Sequence, residues 1–180
     1  MNLNRAVLTA ISATALLTAG TVQARPPAAE PNLVEVAQAV NDSGPYAGLF
    51  DLLLAVAGND PEIVETLTSK GQSTVFAPID PAFEDLLATA AANCVVLSDD
   101  LVNAVLKYHL AVGRRDSTQV VASEQIRTSL GVAFQQAGGV ITDGAGEDAN
   151  IIVVDVPASN GIIHAIDKVL LPFPLPNLCN

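Results

Sequence analysis

Apolar residues at Leu33, Val36, Ala37 and Val40 follow the period of a single helical face. After the turn residues Asn41 to Pro45, the period resumes at Leu49, Phe50, Leu53 and Val56, predicting a second helix over Tyr46 to Val56. Asp60-Pro61-Glu62 opens a third, which carries Ile63, Val64 and Leu67 inward until Lys70-Gly71 stops it. The pattern then changes. Thr74, Val75 and Phe76 are β-branched or aromatic and predict a strand, and Pro78 ends it because it cannot donate to a ladder. Asp80-Pro81 predicts a helix start immediately afterwards, with Asp80 as the cap, Pro81 at the first helical position, and Glu84 and Asp85 in the first turn favoured by the helix dipole. This helix runs to about Ala92. Ser98-Asp99-Asp100 caps the next one, which turns Leu101, Val105 and then Tyr108 or His109 inward and ends near Gly113.

Beyond Gly113 the helical period disappears. Gln125 to Leu130, Val132 to Ala137, Val140 to Thr142, Ile151 to Val156 and Ile162 to Leu170 are short strand-like runs. Gly131, Gly138-Gly139, Asp143 to Asp148 and Ala158 to Gly161 punctuate them as turns. Helices with one strand, followed by consecutive strands, predict an α+β domain with a largely antiparallel sheet rather than a doubly wound one. There is no internal repeat.

The first 24 residues change the picture of where the chain works. Arg5 precedes an apolar run, Ala6 to Leu17, and Val22-Gln23-Ala24 offers a small-residue cleavage site, the pattern of a secretory leader. The run is shorter than the roughly 20 apolar residues a membrane span needs, so no transmembrane segment is expected in the mature chain. Residues 1–24 therefore read as a signal peptide, 25–32 as a Pro/Ala-rich spacer, 33–173 as the folded domain and 174–180 as a tail. The product is expected in the periplasm or outside the cell.

Half of the 180 residues are hydrophobic, enough for a core without metal staples, but only 4% are aromatic and none is tryptophan. Without the leader, seven basic residues face 19 acidic ones, a net charge of −12. That balance argues against nucleic acid, whose phosphates need Lys and Arg, and against unassisted docking on an anionic membrane. Arg114-Arg115 is the only adjacent basic pair.

Candidate chemistry is sparse. Two cysteines, Cys94 and Cys179, in an exported chain suggest a disulfide tying the tail to the body, two free thiols being the alternative. Together with His109 and His164 they match no zinc spacing. No Gly-x-Ser-x-Gly elbow and no glycine-rich phosphate loop occurs. Asp143, Glu147, Asp148 and Asn150 supply oxygen ligands, but not at EF-hand spacing, and read as a solvated hairpin tip. His164 shares a strand face with Ile162 and Ile166 while Asp167 points the other way, so a His–Asp couple within that strand is not expected. No catalytic residue, metal or cofactor follows.

Three segments carry a family resemblance. Ser73-Thr-Val-Phe-Ala-Pro-Ile-Asp-Pro-Ala-Phe83 resembles the first signature of the fasciclin domain, Tyr108-His109 its Tyr-His pair, and Asn160-Gly-Ile-Ile-His-Ala-Ile-Asp-Lys-Val-Leu-Leu-Pro172 its second signature. Within them, Thr74, Phe76, Pro78, Asp80, Phe83, Asn160, Gly161, His164 and Asp167 stand as motif residues of structural role. Ile79 departs from the threonine many members carry, and the Cys94–Cys179 pair lies outside the shared motifs. The resemblance implies a wedge of two packed β-sheets with mostly N-terminal helices covering one side. It also implies adhesion at a cell surface or matrix, and it makes Tyr108 and His109 the candidate partner contact, because animal members have been linked to integrin binding near that pair. The family as a whole has no established catalytic residues. The expected function is thus a non-enzymatic, exported binding protein whose partner is a surface or matrix protein, a polysaccharide or a second copy. A carrier of a small apolar or sugar-like ligand is the alternative, and a hydrolase using His109 or His164 stands third.

Overall fold

The computed structural model describes residues 30–41, 61–69 and 71–179. The leader, most of the spacer and the helix expected over Tyr46 to Val56 lie outside the described residues. In chain order the elements are α1 (Leu33–Asn41), α2 (Pro61–Thr68), β1 (Ser73–Pro78), α3 (Asp80–Ala92), α4 (Asp99–His109), β2 (Leu110–Val112) and α5 (Ser117–Ala122). Five strands follow: β3 (Gln125–Arg127), β4 (Ala133–Ala137), β5 (Val140–Thr142), β6 (Asp148–Ala158) and β7 (Gly161–Ile166).

The helices begin where side chains can satisfy free amides. Asn32 accepts from the amides of Val34 and Glu35, and Glu35 reaches back to the Asn32 amide at 2.8 Å, a capping box that starts α1. Contacts thus begin inside the stretch read as spacer, since the Pro31 carbonyl also accepts from Ser159. Ser98 caps α4 through the Leu101 amide. The expectation for α3 needs correcting. Its N-cap is Ile79, extended at φ −81° and ψ 163°, and Asp80 is the first helical residue. Asp80 therefore stands in the positive end of the dipole rather than at the capping position.

The strands form a single seven-stranded sheet in the order β2-β1-β7-β6-β5-β4-β3. All neighbours are antiparallel except β1 and β7, which run parallel from Ser73 opposite Gly161 to Pro78 opposite Ile166. The two family signatures are therefore hydrogen-bonded neighbours. β6 is long enough to join both halves of the sheet, pairing β5 at its start and β7 along its length, and it is bulged between Ile151 and Val153 and again between Val153 and Val156. Bulges bend and twist a strand. The sheet curls until its ends approach, where Ala111 bridges Thr128 and the Ser129 amide donates to the Leu110 carbonyl at 2.6 Å. The result is a mixed, nearly closed sheet in one continuous piece.

Inside the curl lie Phe76, Tyr108, Ala111, Ile126, Phe134, Ile141, Ile166 and Leu170. Phe134 meets Phe76 and Tyr108 edge to face, with ring centroids 5.1 and 5.9 Å apart. On the opposite face Ile163 and Ala77 pack beneath Leu33, Val36, Ile63, Leu67 and Leu106 from the helices. β1 and β7 thus have both faces covered, which is why β7 is buried along its whole length.

Candidate functional site

Tyr108 and His109 end α4, and both point inward: Tyr108 is fully buried and His109 is 5% exposed. The His109 Nδ1–H donates to the Val105 carbonyl at 2.7 Å, and Nε2 accepts the Leu170 amide at 2.9 Å. Because Leu170 can only donate, the ring is the Nδ1–H tautomer. Burial pushes its pKa down to about 4. Tyr108 is enclosed, and its hydroxyl completes no well-formed hydrogen bond, although the Gly144 amide faces it and opposes the rise in its pKa. Burial, with the Asp143 carboxylate adding to it, pushes the phenol up to about 12. In this fold neither side chain offers a surface to a partner.

Asp143 is a residue the sequence pattern does not single out from its acidic neighbours. Only 8% exposed, it accepts through one carboxylate oxygen from the amides of Ala145 and Glu147, each at 2.9 Å, and through the other from the Leu171 amide at 2.8 Å. It therefore folds the β5–β6 turn and holds the segment after β7 against it. A Cβ at Gly144 would stand 2.1 Å from the Pro172 carbonyl oxygen, so no side chain fits there. The acidic stretch read as a solvated tip is partly an internal clamp. Among the described residues no group of three His, Cys, Asp or Glu is placed to hold a metal ion.

The polar motif residues make two further sets of bonds. Asn160, 5% exposed, accepts the Leu33 amide at 2.8 Å and donates to the Leu67 and Ser69 carbonyls at 2.7 and 3.0 Å. It thereby joins the start of α1 and the end of α2 to the β6–β7 turn. Gly161 follows because a Cβ there would lie 2.3 Å from the Ser73 carbonyl oxygen and 2.8 Å from Leu33. The second set converges on the loop between β2 and α5. The Thr74 hydroxyl donates to the Gly113 carbonyl at 2.7 Å and accepts the Arg115 amide at 2.9 Å. His164 lies against Phe76, accepts the Asp155 amide at Nδ1 and donates from Nε2 to the Arg115 carbonyl at 2.9 Å. Asp155 sits at φ 60° on the bulged strand, and its carboxylate accepts the Ser117 amide and hydroxyl. The Ser117 hydroxyl bond in particular holds the Asp155 carboxyl below the usual carboxylate range. Asp167 instead receives the Asn150 amide and side chain, both at 2.7 Å.

Phe83 packs with Ala82, Val105 and Val169 on the remaining helical side. There α3, the β5–β6 turn and residues 168–175 enclose a cleft of about 520 Å³, lined by Leu86, Thr89, Val169, Leu171 and Leu175 with Asp85 and Glu147 at its polar edge. Beside it Cys94 and Cys179 are joined, and the Leu178 amide donates to the Asn93 carbonyl at 2.9 Å, so the C-terminal segment is strapped to the end of α3.

A strand-to-helix corner lying parallel to a second apolar signature, within a curled mixed sheet, defines an α+β domain of a distinct class. The model of the fasciclin domain matches residues 52–172, and the chain belongs to that family. It is 34% identical over 122 residues to protein sll1483 of Synechocystis sp., covering 66% of either chain. It is 30% identical over 191 residues to the immunogenic protein MPB70 of Mycobacterium bovis, covering 90% of this chain and 96% of that one. Among solved structures it resembles a FAS1 domain pair from the insect cell adhesion molecule Fasciclin I, with a TM-score of 0.53 and 22% identity. That superposition covers 72% of this chain and 46% of the pair, and it speaks to the fold alone. No helix among the described residues is long and apolar enough to cross a membrane.

Proposed function

We propose that this chain is an exported, non-enzymatic binding protein. It presents a rigid, acidic fasciclin domain to a cell-surface or matrix partner, or to a second copy of itself. Family membership supports the reading. The observation that carries it is the state of the two histidines. Both rings are buried, and both nitrogens of each ring are engaged by backbone groups. A general base needs a nitrogen within reach of substrate, and neither ring has one to offer. The leader is the basis for export, with cleavage near Ala24 delivering the domain to the periplasm or beyond. N-terminal sequencing of the exported protein tests that step and should read from Arg25.

The binding role is tested by coating a surface with the purified protein and measuring attachment of the producing cells, with soluble protein as competitor. Attachment that rises with coating density and falls with competitor supports it.

The cleft beside α3 favours a second reading, a carrier of a small ligand. Its volume of about 520 Å³ lies within the range of ligand pockets, and its lining sets Leu86, Val169, Leu171 and Leu175 beside charged groups such as Asp85, Glu147 and Lys168. Native mass spectra of freshly purified protein separate the two, since a carrier retains a bound mass that unfolding releases.

A further inference from the structure

The loop from Gly113 to Asp116 carries more fixed contacts than a connection between a three-residue strand and a six-residue helix requires. Thr74 holds its backbone at Gly113 and Arg115, His164 holds the Arg115 carbonyl, and one Arg114 Nη donates to the Ala158 and Gly161 carbonyls at 3.1 and 2.6 Å. The buried hydroxyl and imidazole of the two signatures thus converge on this one loop. What the loop displays is the pair Arg114-Arg115, in a chain with 19 acidic side chains and only eight basic ones.

Despite that excess, among the described residues no carboxylate lies within ion-pair distance of either guanidinium. The nearby acids are engaged by hydrogen bonds, Asp116 capping α5 through the Gln119 amide and Asp155 accepting from Ser117, although Arg114 is close enough to help hold the Asp155 carboxyl below the usual range. The Arg115 Nε–H is enclosed and has no hydrogen-bond partner. With Nε closed off from the groove, Arg115 presents its terminal guanidinium nitrogens there, a group suited to planar anions. Both arginines line a groove of about 420 Å³, together with Val112, Gly113, Gln119 and Ser123.

We infer that this groove is a binding site for a single carboxylate on a small polar ligand, of the kind a uronic acid presents at the end of an otherwise neutral glycan. The guanidinium of Arg115 takes the carboxylate. The Gln119 side-chain NH2 donates to the sugar oxygens and the Ser123 hydroxyl oxygen accepts from the sugar hydroxyls, since Gln119 Oε1 is held by the Asp116 amide and the Ser123 hydroxyl proton by the Gln119 carbonyl. The net charge of −11 repels polyanions, which favours one isolated carboxylate over a uronate polymer or a phosphate chain. The site deepens the binding role proposed above by giving it a ligand class, and it is tested separately from attachment.

The test is a titration of ¹⁵N-labelled protein with methyl glucuronoside, followed through the amides of residues 112–123 and the Arg115 Nε–H resonance. The expected result is saturable shifts confined to that loop and helix, at least tenfold weaker binding in Arg115→Gln, and no shifts with the methyl ester of the same sugar. Arg115→Gln leaves the backbone bonds of residue 115 in place, so an unchanged spectrum elsewhere certifies the fold. Equal binding by the ester, binding indifferent to Arg115→Gln, tighter binding of glucose 6-sulfate than of the uronoside, or no saturable shifts would each overturn the assignment. Saturable uronoside binding by a protein whose coating supports no cell attachment would sink the adhesion role and leave the site standing.

Discussion

His109 accepts the Leu170 amide at Nε2 across 61 residues of sequence, while its Nδ1–H is held by Val105 in its own helix. The pair fastens the segment after β7 to the end of α4 through a ring that must stay neutral. Folded His109 has its pKa near 4 against an ordinary 6.5, so the unfolded chain binds a proton the folded one refuses between those values. Its contribution is complete above pH 6.5 and is lost as pH falls towards 4, on the order of 3 kcal/mol in all. Denaturant unfolding between pH 5 and 6.5, where most carboxylates are already ionised, should show stability rising with pH. His109→Phe should be less stable at neutral pH and should flatten that slope. A variant that keeps the wild-type slope would place the proton uptake elsewhere.

Tyr108 makes the opposite prediction to its neighbour. Its hydroxyl is buried with only the Gly144 amide facing it and no well-formed hydrogen bond, so Tyr108→Phe removes a polar group that gains little in the fold. Stability is expected to hold or to rise by up to about 1 kcal/mol. A loss above 1 kcal/mol in a urea melt would show that the hydroxyl has a partner.

Asn160 and Gly161 should be among the least replaceable residues. Asn160→Ala strands the Leu33 amide and the Leu67 and Ser69 carbonyls in the interior, at a cost of about 3 kcal/mol. Hydrogen exchange in α1 and α2 should accelerate before exchange in the β3–β5 strands does. Gly161→Ala drives a methyl into the Ser73 carbonyl and should cost at least about 2 kcal/mol. Uniform acceleration across the sheet in Asn160→Ala would contradict its role as a tie for the helices.

Removing the disulfide with Cys94→Ser and Cys179→Ser opens a cross-link spanning 85 residues. The chain-entropy model places the loss at about 4–5 kcal/mol, an upper bound where the strap can fray locally before the sheet unfolds. Limited proteolysis should cut the double variant first after residue 172, beside the cleft. Equal resistance of the strap in both forms would show that packing alone retains it.

The sequence pattern made the corner at Ser73 to Phe83 legible because strand propensity, proline and helix-start chemistry all agree there. The Ser98 cap, the succession of late strands and the cysteine pairing were legible for similarly local reasons. β2 and α5 were not: Leu110–Val112 follows α4 without a break and reads as the continuation of that helix to Gly113, and the six residues of α5 are too few to display a period. The one available signal for α5 was Asp116 followed three residues later by Gln119, which forms a capping box. The shift of the α3 cap to Ile79 also escaped, because Asp80 suits both the cap and the first turn. Asp143 was hidden among acidic neighbours, since only the packing of residues 171–172 against the turn buries it. For the same reason Thr74 and His164 read as motif residues with no visible object. Their common target, the Arg114-Arg115 loop, exists only once β1 and β7 lie side by side.

The most direct test of a protein that acts by presenting a surface is the attachment of its own cells to a coating of the pure domain. The account predicts dose-dependent attachment, competed by soluble protein and unchanged in Tyr108→Phe, whose side chain is interior. Attachment no better than on an inert coating, at saturating density of folded protein, would contradict it.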